Sequence, residues 1–173
     1  EADKIGRKRF SGHGPALAQV YNHIIMPLAN RRDKETQVRW GIADFRRRFG
    51  RMPEGMWLAE CAADTETLEV LAENGIVFTI LSPYQAKAVR ILGRKDWQDV
   101  TGGRIDTRCA YLCKLPSGRS INLFFYDGPL SQKIAFAGLL YDGGNFARQL
   151  IEANPKPGHP VLTHVATDGE SYG

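Results

Sequence analysis

The sequence has 173 residues, of which 43% are hydrophobic and 24% charged, and a formal net charge of +4. That is enough chain for one good core, with the composition of an ordinary globular domain and not of a disordered or fibrous chain. No apolar run approaches the roughly 18 residues that a membrane-spanning helix needs, no secretory leader opens the sequence, and Cys61, Cys109 and Cys113 are too few for a disulfide scaffold.

These features point to a cytoplasmic setting with no membrane partner. Basic residues cluster at Lys4–Arg9 and at Arg46, Arg47, Arg48 and Arg51. Neither cluster has the interleaved aromatics or binding module of a nucleic-acid surface, so both read as solvated charge and no nucleic-acid partner is expected. The chain opens on Glu1, not a start methionine, and stops within Asp168–Gly173, which reads as the middle of a motif; both ends are expected to be cut from a longer protein. Oligomeric state is left open.

In chain order, residues 16–22 suit a short strand, and Pro27 argues against a long helix after it. Residues 33–49 form an amphipathic helical pattern, with Asp33 as N-cap, Val38, Ile42, Phe45 and Phe49 on one stripe, and Gly50 as the stop. A short apolar strand over 56–60 ends on Glu60. Asp64 caps the next helix, whose stripe is Leu68, Leu71 and Ala72 and whose stop is Asn74-Gly75. Residues 77–81 have the pattern of a buried strand bounded by Ser82-Pro83. Strand, helix and strand make a βαβ unit, which requires parallel strands.

Residues 93–108 read as a loop or insertion, and 109–126 as a hairpin turning at Pro116-Ser117-Gly118. Cys109 and Cys113 share one side of that stretch and read as buried small hydrophobes in preference to a metal pair. Helical patterns follow over about 130–140 and 144–153, then a loop from Asn154 to Pro160, then a buried strand over 161–167 that ends on Asp168. The fold expected is α/β, with strands 56–60, 77–81 and 161–167 in one sheet and helices 33–49 and 64–74 covering it.

Apolar strands therefore end on polar residues at Asn22-His23, Glu60, Asp127, and Asp168 with Glu170. In parallel α/β barrels such strand ends converge on the rim that holds the active site. Two carboxylates that face each other suit glycosidic cleavage, one attacking the anomeric carbon or activating water and the other protonating the leaving oxygen. The alternative is that each carboxylate caps the helix after it.

The segment Met56-Trp57-Leu58-Ala59-Glu60-Cys61-Ala62 resembles the Trp-Leu-Pro-Glu-Cys motif of glycoside hydrolase family 57. Thr167-Asp168-Gly169-Glu170-Ser171-Tyr172-Gly173 resembles its Asp-Gly/Ala-Glu-x-Phe/Tyr-Gly motif, and Asn22-His23-Ile24-Ile25-Met26-Pro27-Leu28 its His-Pro-x-x-Pro-Leu segment. The likeness runs over nearly the whole chain, most strongly over 12–85. It implies Glu60 as nucleophile, Asp168 as general acid/base and His23 lining the sugar site. It also implies a seven-stranded (β/α) barrel acting on α-glucans with retention and without a metal.

Ala59 stands where the family has proline, and Ile24 follows the histidine where the family has another proline. The family's first motif and its last are missing. Residues 1–173 are accordingly expected to be one partial catalytic barrel domain, truncated at both ends: an incomplete (β/α)7 barrel with an inserted β-hairpin.

Other residues are open to two readings. Trp57 suits a sugar platform or packing beside its strand. Asp127 suits a sugar hydroxyl or a turn before Gly128-Pro129. Gly12-His13-Gly14 suits the rim or a flexible loop, and Glu170 suits help to Asp168 or the start of a helix. His159 and His164, five apart on a strand, point to opposite faces. No metal cluster and no phosphate-cradling loop is visible, so no cofactor is expected. The expected partner is an α-glucan or oligosaccharide substrate. Two alternatives are a catalytically silent glycan-binding barrel and a metal-dependent polysaccharide deacetylase. Hydrolysis and transglycosylation are not separable by sequence.

Overall fold

The computed structural model describes residues 1–153 and 161–172. Its elements in chain order are α1 (Ala2–Arg9), β1 (Ala18–Gln19), α2 (Arg31–Phe49), β2 (Met56–Trp57), α3 (Thr65–Glu73), β3 (Phe78–Leu81), β4 (Ala88–Val89), β5 (Gln98–Asp99), β6 (Tyr111–Lys114), β7 (Ser120–Phe125), α4 (Gly128–Phe136) and α5 (Gly143–Glu152). This is an α/β arrangement. β1 pairs with β2 in parallel, Ala18 opposite Met56 and Gln19 opposite Trp57. A single parallel bridge, Gly55 to Phe78, joins the entry of β2 to β3. β3, β7 and β6 form a sheet in that order. Asn122 donates to the Val77 carbonyl (2.9 Å) and Tyr126 to the Leu81 carbonyl (3.3 Å). Both strands advance by the same step, so β7 runs parallel to β3.

The chain forms two compact units, one of Glu1–Ile80 with Leu112–Leu123, the other of Leu81–Tyr111 with Phe124–Gly173. In the first unit, α2 lies on β1 and β2. A Cβ on Gly41 would come 2.0 Å from the Gln19 carbonyl oxygen and 3.4 Å from Met56 Cε, so only glycine allows this approach. The stripe read from the sequence is buried at Val38, Ile42 and Phe45. Gly50 ends the helix at φ 67° in the left-handed region. The cap differs from expectation: Asn30 is the N-cap and accepts from the Asp33 N–H at 3.0 Å. Asp33 instead answers the Asn30 side-chain amide at 2.8 Å. Asp33 therefore holds the second position of a reciprocal cap, and the helix starts three residues earlier than its apolar stripe shows.

α3 begins as expected, with Asp64 accepting from the Thr67 N–H. Fully buried Lys34 ties it to α2, its ammonium 2.9 Å from Asp64 and 2.8 Å from Glu66. Burial alone would lower the Lys34 pKa, but the hydrogen bonds to Glu66 and Asp64 outweigh it and the net shift is upward.

The basic cluster at Lys4–Arg9 turns out to lie on a helix, α1, whose last turn carries Arg7, Lys8 and Arg9 beside the negative end of its dipole. Arg51 is not solvated. It is nearly buried, bonds the Asp3 carboxylate at 2.6 and 2.9 Å, and lies 4.8 Å over the Phe45 ring. The Arg51 hydrogen bonds hold Asp3 at a pKa of about 2.

In the second unit, Leu130, Ile134 and Leu139 form a small core that Phe146, Leu150 and Val165 pack against. Asp127 caps α4 by accepting from the Leu130 N–H (2.9 Å), and Asp142 caps α5. Residues 93–108 are not wholly irregular, since Gln98 and Asp99 pair with Val89 and Ala88.

The strand expected over 161–167 is absent. Leu162 donates to the Arg108 carbonyl, His164 accepts from the Asp127 N–H, and Ala166 donates to the Ser131 hydroxyl. Alternate residues thus bond to a loop and to the cap and first turn of α4, and no ladder forms. The single sheet expected over 56–60, 77–81 and 161–167 is replaced by the sheets above. Cys109 is exposed and precedes β6, contrary to its reading as buried, whereas Cys113 is half-buried and Cys61 buried. The loop from Asn154 to Pro160, with His159, lies outside the described residues.

Two outcomes are expected. Gly41→Ala should cost about 2 kcal/mol or more, because the obstacle is a backbone carbonyl that cannot swing aside; urea unfolding measures it, and a neutral result would mean that α2 does not approach β1 this closely. Asp3→Asn should destabilise at neutral pH. The Asp3 pKa is depressed from 3.8 to about 2 on folding, so its contribution is complete above about pH 4 and fades as pH falls toward 2. The gap between the two melting curves should close over that window.

Candidate functional site

The site begins where β1 and β2 end. The parallel register continues one residue past the strands, with Val20 donating to the Trp57 carbonyl at 3.3 Å. Both chains then turn away, carrying His23 beyond β1 and Glu60 beyond β2. His23 Nε2 lies 2.8 Å from Glu60 Oε1. An ionised carboxylate only accepts, so the imidazole nitrogen donates. Both side chains face solvent, at 73% and 67% exposure. An exposed pair of this kind adds about 0–1 kcal/mol to stability; its consequence is orientation, engaging one Glu60 oxygen and leaving the other open.

Glu60 has φ 56° and ψ 21°, and Cys61 φ 52°. Two successive non-glycine residues in the left-handed region cost about 1–2 kcal/mol each. What holds them is a tight turn over Ala59–Cys61. Cys61 donates to the Leu58 carbonyl and Ala62 to that of Ala59, both at 3.0 Å, and Leu58, Ala59 and Cys61 are buried. Strain retained in this way is a mark of functional positions.

Trp57 is half-buried and shares its side of the short sheet with Gln19, away from Met56, which is buried against α2. Tyr21 and Trp40, which the sequence reading passed over, meet edge to face with centroids 5.4 Å apart, and each is 54% exposed. The available signal was Tyr21's place two residues before His23.

His13 is not brought to Glu60. Its Nδ1 lies 2.9 Å from Glu54 Oε2, and the Glu54 carbonyl accepts from Val77 at 2.8 Å. Glu54 precedes β2 and Glu60 follows it, so His13 sits at the opposite end of the strand.

In the second unit, Asp127 is the cap of α4 described above. Asp168 is exposed, and its carbonyl accepts from the Ser171 N–H (3.1 Å), opening a 3-10 turn over Gly169–Tyr172. Thr167 bonds the Tyr172 hydroxyl at 2.8 Å across that turn. Glu170 lies in the turn and is exposed. Burial lowers the His164 pKa. Among the described residues no three His, Cys, Asp or Glu side chains gather as a metal-ion group, and no helix is long and apolar enough to cross a membrane.

The family model for "Glycosyl hydrolase family 57" matches residues 11–173, a span that contains both strained Glu60 and Asp168. The chain belongs to that family. No curated protein sequence matches it.

Among solved structures, a 4-α-glucanotransferase of Thermococcus litoralis is similar at TM-score 0.66 and 18% identity, covering 98% of this chain and 24% of that one. An exo-type maltose-forming amylase of Pyrococcus sp. ST04 gives 0.67 and 20%, covering 92% and 26%. A putative polysaccharide deacetylase of Mycobacterium smegmatis gives 0.57 and 16%, covering 93% and 50%. At these identities the likeness is one of fold, and the family 57 chain spans about a quarter to a half of each structure.

The backbone at position 60 can be tested directly. Glycine carries no left-handed penalty, whereas alanine keeps it. Glu60→Gly should therefore be more stable than Glu60→Ala by about 1 kcal/mol in chemical denaturation. The reverse order would show that residue 60 is not left-handed.

Proposed function

We propose that the protein carrying this chain is a retaining α-glucan-active enzyme, a glycosidase or glucanotransferase, built on a (β/α)7 barrel of which residues 1–173 are one incomplete part. The observation that carries this reading is Glu60, turned into solvent on a strained turn at a parallel strand end with His23 on one of its oxygens. Family membership and the named activities of the structural relatives support it. In this reading the β6–β7 hairpin is an insertion into the barrel, and the protein is cytoplasmic and needs no cofactor.

The chemistry has two steps. The open oxygen of ionised Glu60 attacks the anomeric carbon while Asp168, as the acid, gives its proton to the departing glycosidic oxygen. A glycosyl ester on Glu60 results. Asp168, now ionised, takes a proton from water or from a sugar hydroxyl, which attacks the same carbon from the opposite face and releases Glu60. Two inversions give net retention. Water leads to hydrolysis, and a sugar acceptor to transfer. His23 holds Glu60 in its attacking orientation and contacts substrate hydroxyls. Trp57 offers an aromatic face to a sugar ring. Asp127 and Glu170 are the remaining contacts proposed in the second unit. His13 belongs to the same expected set, although its bond to Glu54 gives it a separate structural task.

A second reading, a metal-dependent polysaccharide deacetylase, draws on the fold likeness to the Mycobacterium smegmatis structure. It requires three ligands around one ion, and Glu60 and His23 supply two.

The test uses the full-length protein with maltooligosaccharides. Glu60→Gln and Asp168→Asn should each lower turnover by about a thousandfold or more, with the substrate's α-configuration kept in the wild-type product. Azide should give an α-glycosyl azide with Asp168→Ala and the inverted β-azide with Glu60→Ala. Near-normal activity in either variant ends the assignment. Deacetylation that follows bound metal would favour the second reading.

A further inference from the structure

The loop that carries His23 has no regular structure of its own, and exposed histidines on such loops normally sample several rotamers. Here one residue of α2 fixes it from below. Gln37 is 8% exposed. Its side-chain Oε1 accepts the Asn22 N–H at 2.6 Å, and its main-chain carbonyl accepts the Tyr21 N–H at 3.2 Å. Two consecutive amides of the loop thus end on one residue. One helical turn further along the same face is Gly41, against which the Gln19 carbonyl packs. Beyond Asn22 the loop tightens, the Ile24 N–H returning to the Asn22 carbonyl at 2.8 Å. His23 is therefore held between two anchored amides and reaches Glu60 at 2.8 Å.

We propose that Gln37 is a positioning residue for the Glu60–His23 pair. It acts through the loop backbone and touches neither substrate nor Glu60. The chemistry fits this task. A buried side-chain acceptor that pairs with a main-chain N–H fixes the backbone at a single φ/ψ, and loss of that acceptor leaves an unpaired amide which turns toward water and takes the loop with it. Asn22 is exposed, so its amide has water to turn to. Displacement of His23 by about 1 Å frees Glu60 to rotate out of its attacking orientation, and an error of that size in a reacting group costs about 10–100-fold in rate. Glutamine suits the position because its side chain is long enough to carry an acceptor oxygen from the packed face beside Val38 and Gly41, both buried, up to the Asn22 N–H.

The inference rests on the proposed role of Glu60 for its kinetic consequence but not for its geometric one, and the experiment separates them. Three variants of the full-length protein are compared: Gln37→Met, which keeps volume and removes the acceptor; Gln37→Glu, which keeps an acceptor; and Asn22→Pro, which removes the same N–H from the exposed side and stands in where Gln37→Met does not fold. Crystal structures should show the His23–Glu60 bond intact in Gln37→Glu and broken, beyond 3.5 Å, in Gln37→Met and Asn22→Pro. With maltooligosaccharide, well below the melting temperature, kcat should fall about tenfold or more in Gln37→Met and Asn22→Pro. KM should change less than about threefold, and Gln37→Glu should recover most of kcat.

In a Glu60→Gln background Gln37→Met should add nothing, because the two substitutions act on one element. A merely structural glutamine would lower the melting temperature and leave the kcat of the folded protein unchanged. An intact His23–Glu60 bond in Gln37→Met overturns the proposal whether or not the protein acts on glucans. Broken bonds in a wild-type background that never turns over α-glucan would uphold the positioning role and overturn the functional reading instead.

Discussion

The contact between Gly41 and the Gln19 carbonyl is the closest approach on which the first unit depends, since any side chain at position 41 would meet that oxygen at 2.0 Å. β1 and β2 are two residues long each and cannot hold themselves in register. Their alignment comes from the helix laid across them. Val38, Ile42 and Phe45 supply the apolar area, Met56 fills the space beside Gly41, and the strands are pressed together with Ala18 opposite Met56. Once that register is set, the chain lengths beyond each strand decide which residues meet, and they bring His23 to Glu60.

α3 fixes the same region from its other side. Its N-cap Asp64 follows the Glu60 turn closely, and Lys34 reaches across from α2 to bond both Asp64 and Glu66. A buried ammonium is costly unless its protons are taken up, and here its two carboxylate partners are only part-exposed. The turn at 59–61 is thus held between β2, aligned by Gly41, and α3, tied back by Lys34. Two left-handed residues are tolerated because the segments on either side are fixed independently.

Periodicity made α2 and α3 legible in the sequence, and turn chemistry gave their ends at Gly50 and Asn74-Gly75. It gave the start of α2 wrongly because Asn30 and Asp33 form one reciprocal cap, and the second member stands next to the apolar stripe. α1 was invisible for a different reason. It has scarcely any apolar stripe, Ile5 being 44% exposed, and is held by Asp3 bonded to Arg51, residues 48 positions apart. No local pattern encodes such a contact. The strand expected over 161–167 failed because an apolar run states only that a segment is covered, and its bonds went to a loop, a cap and a hydroxyl. At the site, motif order singled out Glu60 and His23, whose side chains meet, whereas the sequence left His13 open between rim and loop, and its bond to Glu54 is what decides the end of the strand to which it belongs.

The left-handed turn also resolves a conflict inherent in the strand. Side chains alternate along an extended chain, so residues 56, 58 and 60 would share one face. Met56 and Leu58 are both buried, Met56 against α2 at Gly41. A regular strand carried two residues further would drive the Glu60 carboxylate into that same packed layer, where an unpaired ion costs several kcal/mol. The chain breaks the alternation instead. Ala59 is buried immediately after Leu58, and the backbone then passes into φ 56° at Glu60, which turns the carboxylate out toward His23. About 2–4 kcal/mol of backbone strain, shared by Glu60 and Cys61, stands in place of the desolvation of a buried carboxylate. A small residue at 59 suits this reversal, because the side chain at that position is packed inside the bend.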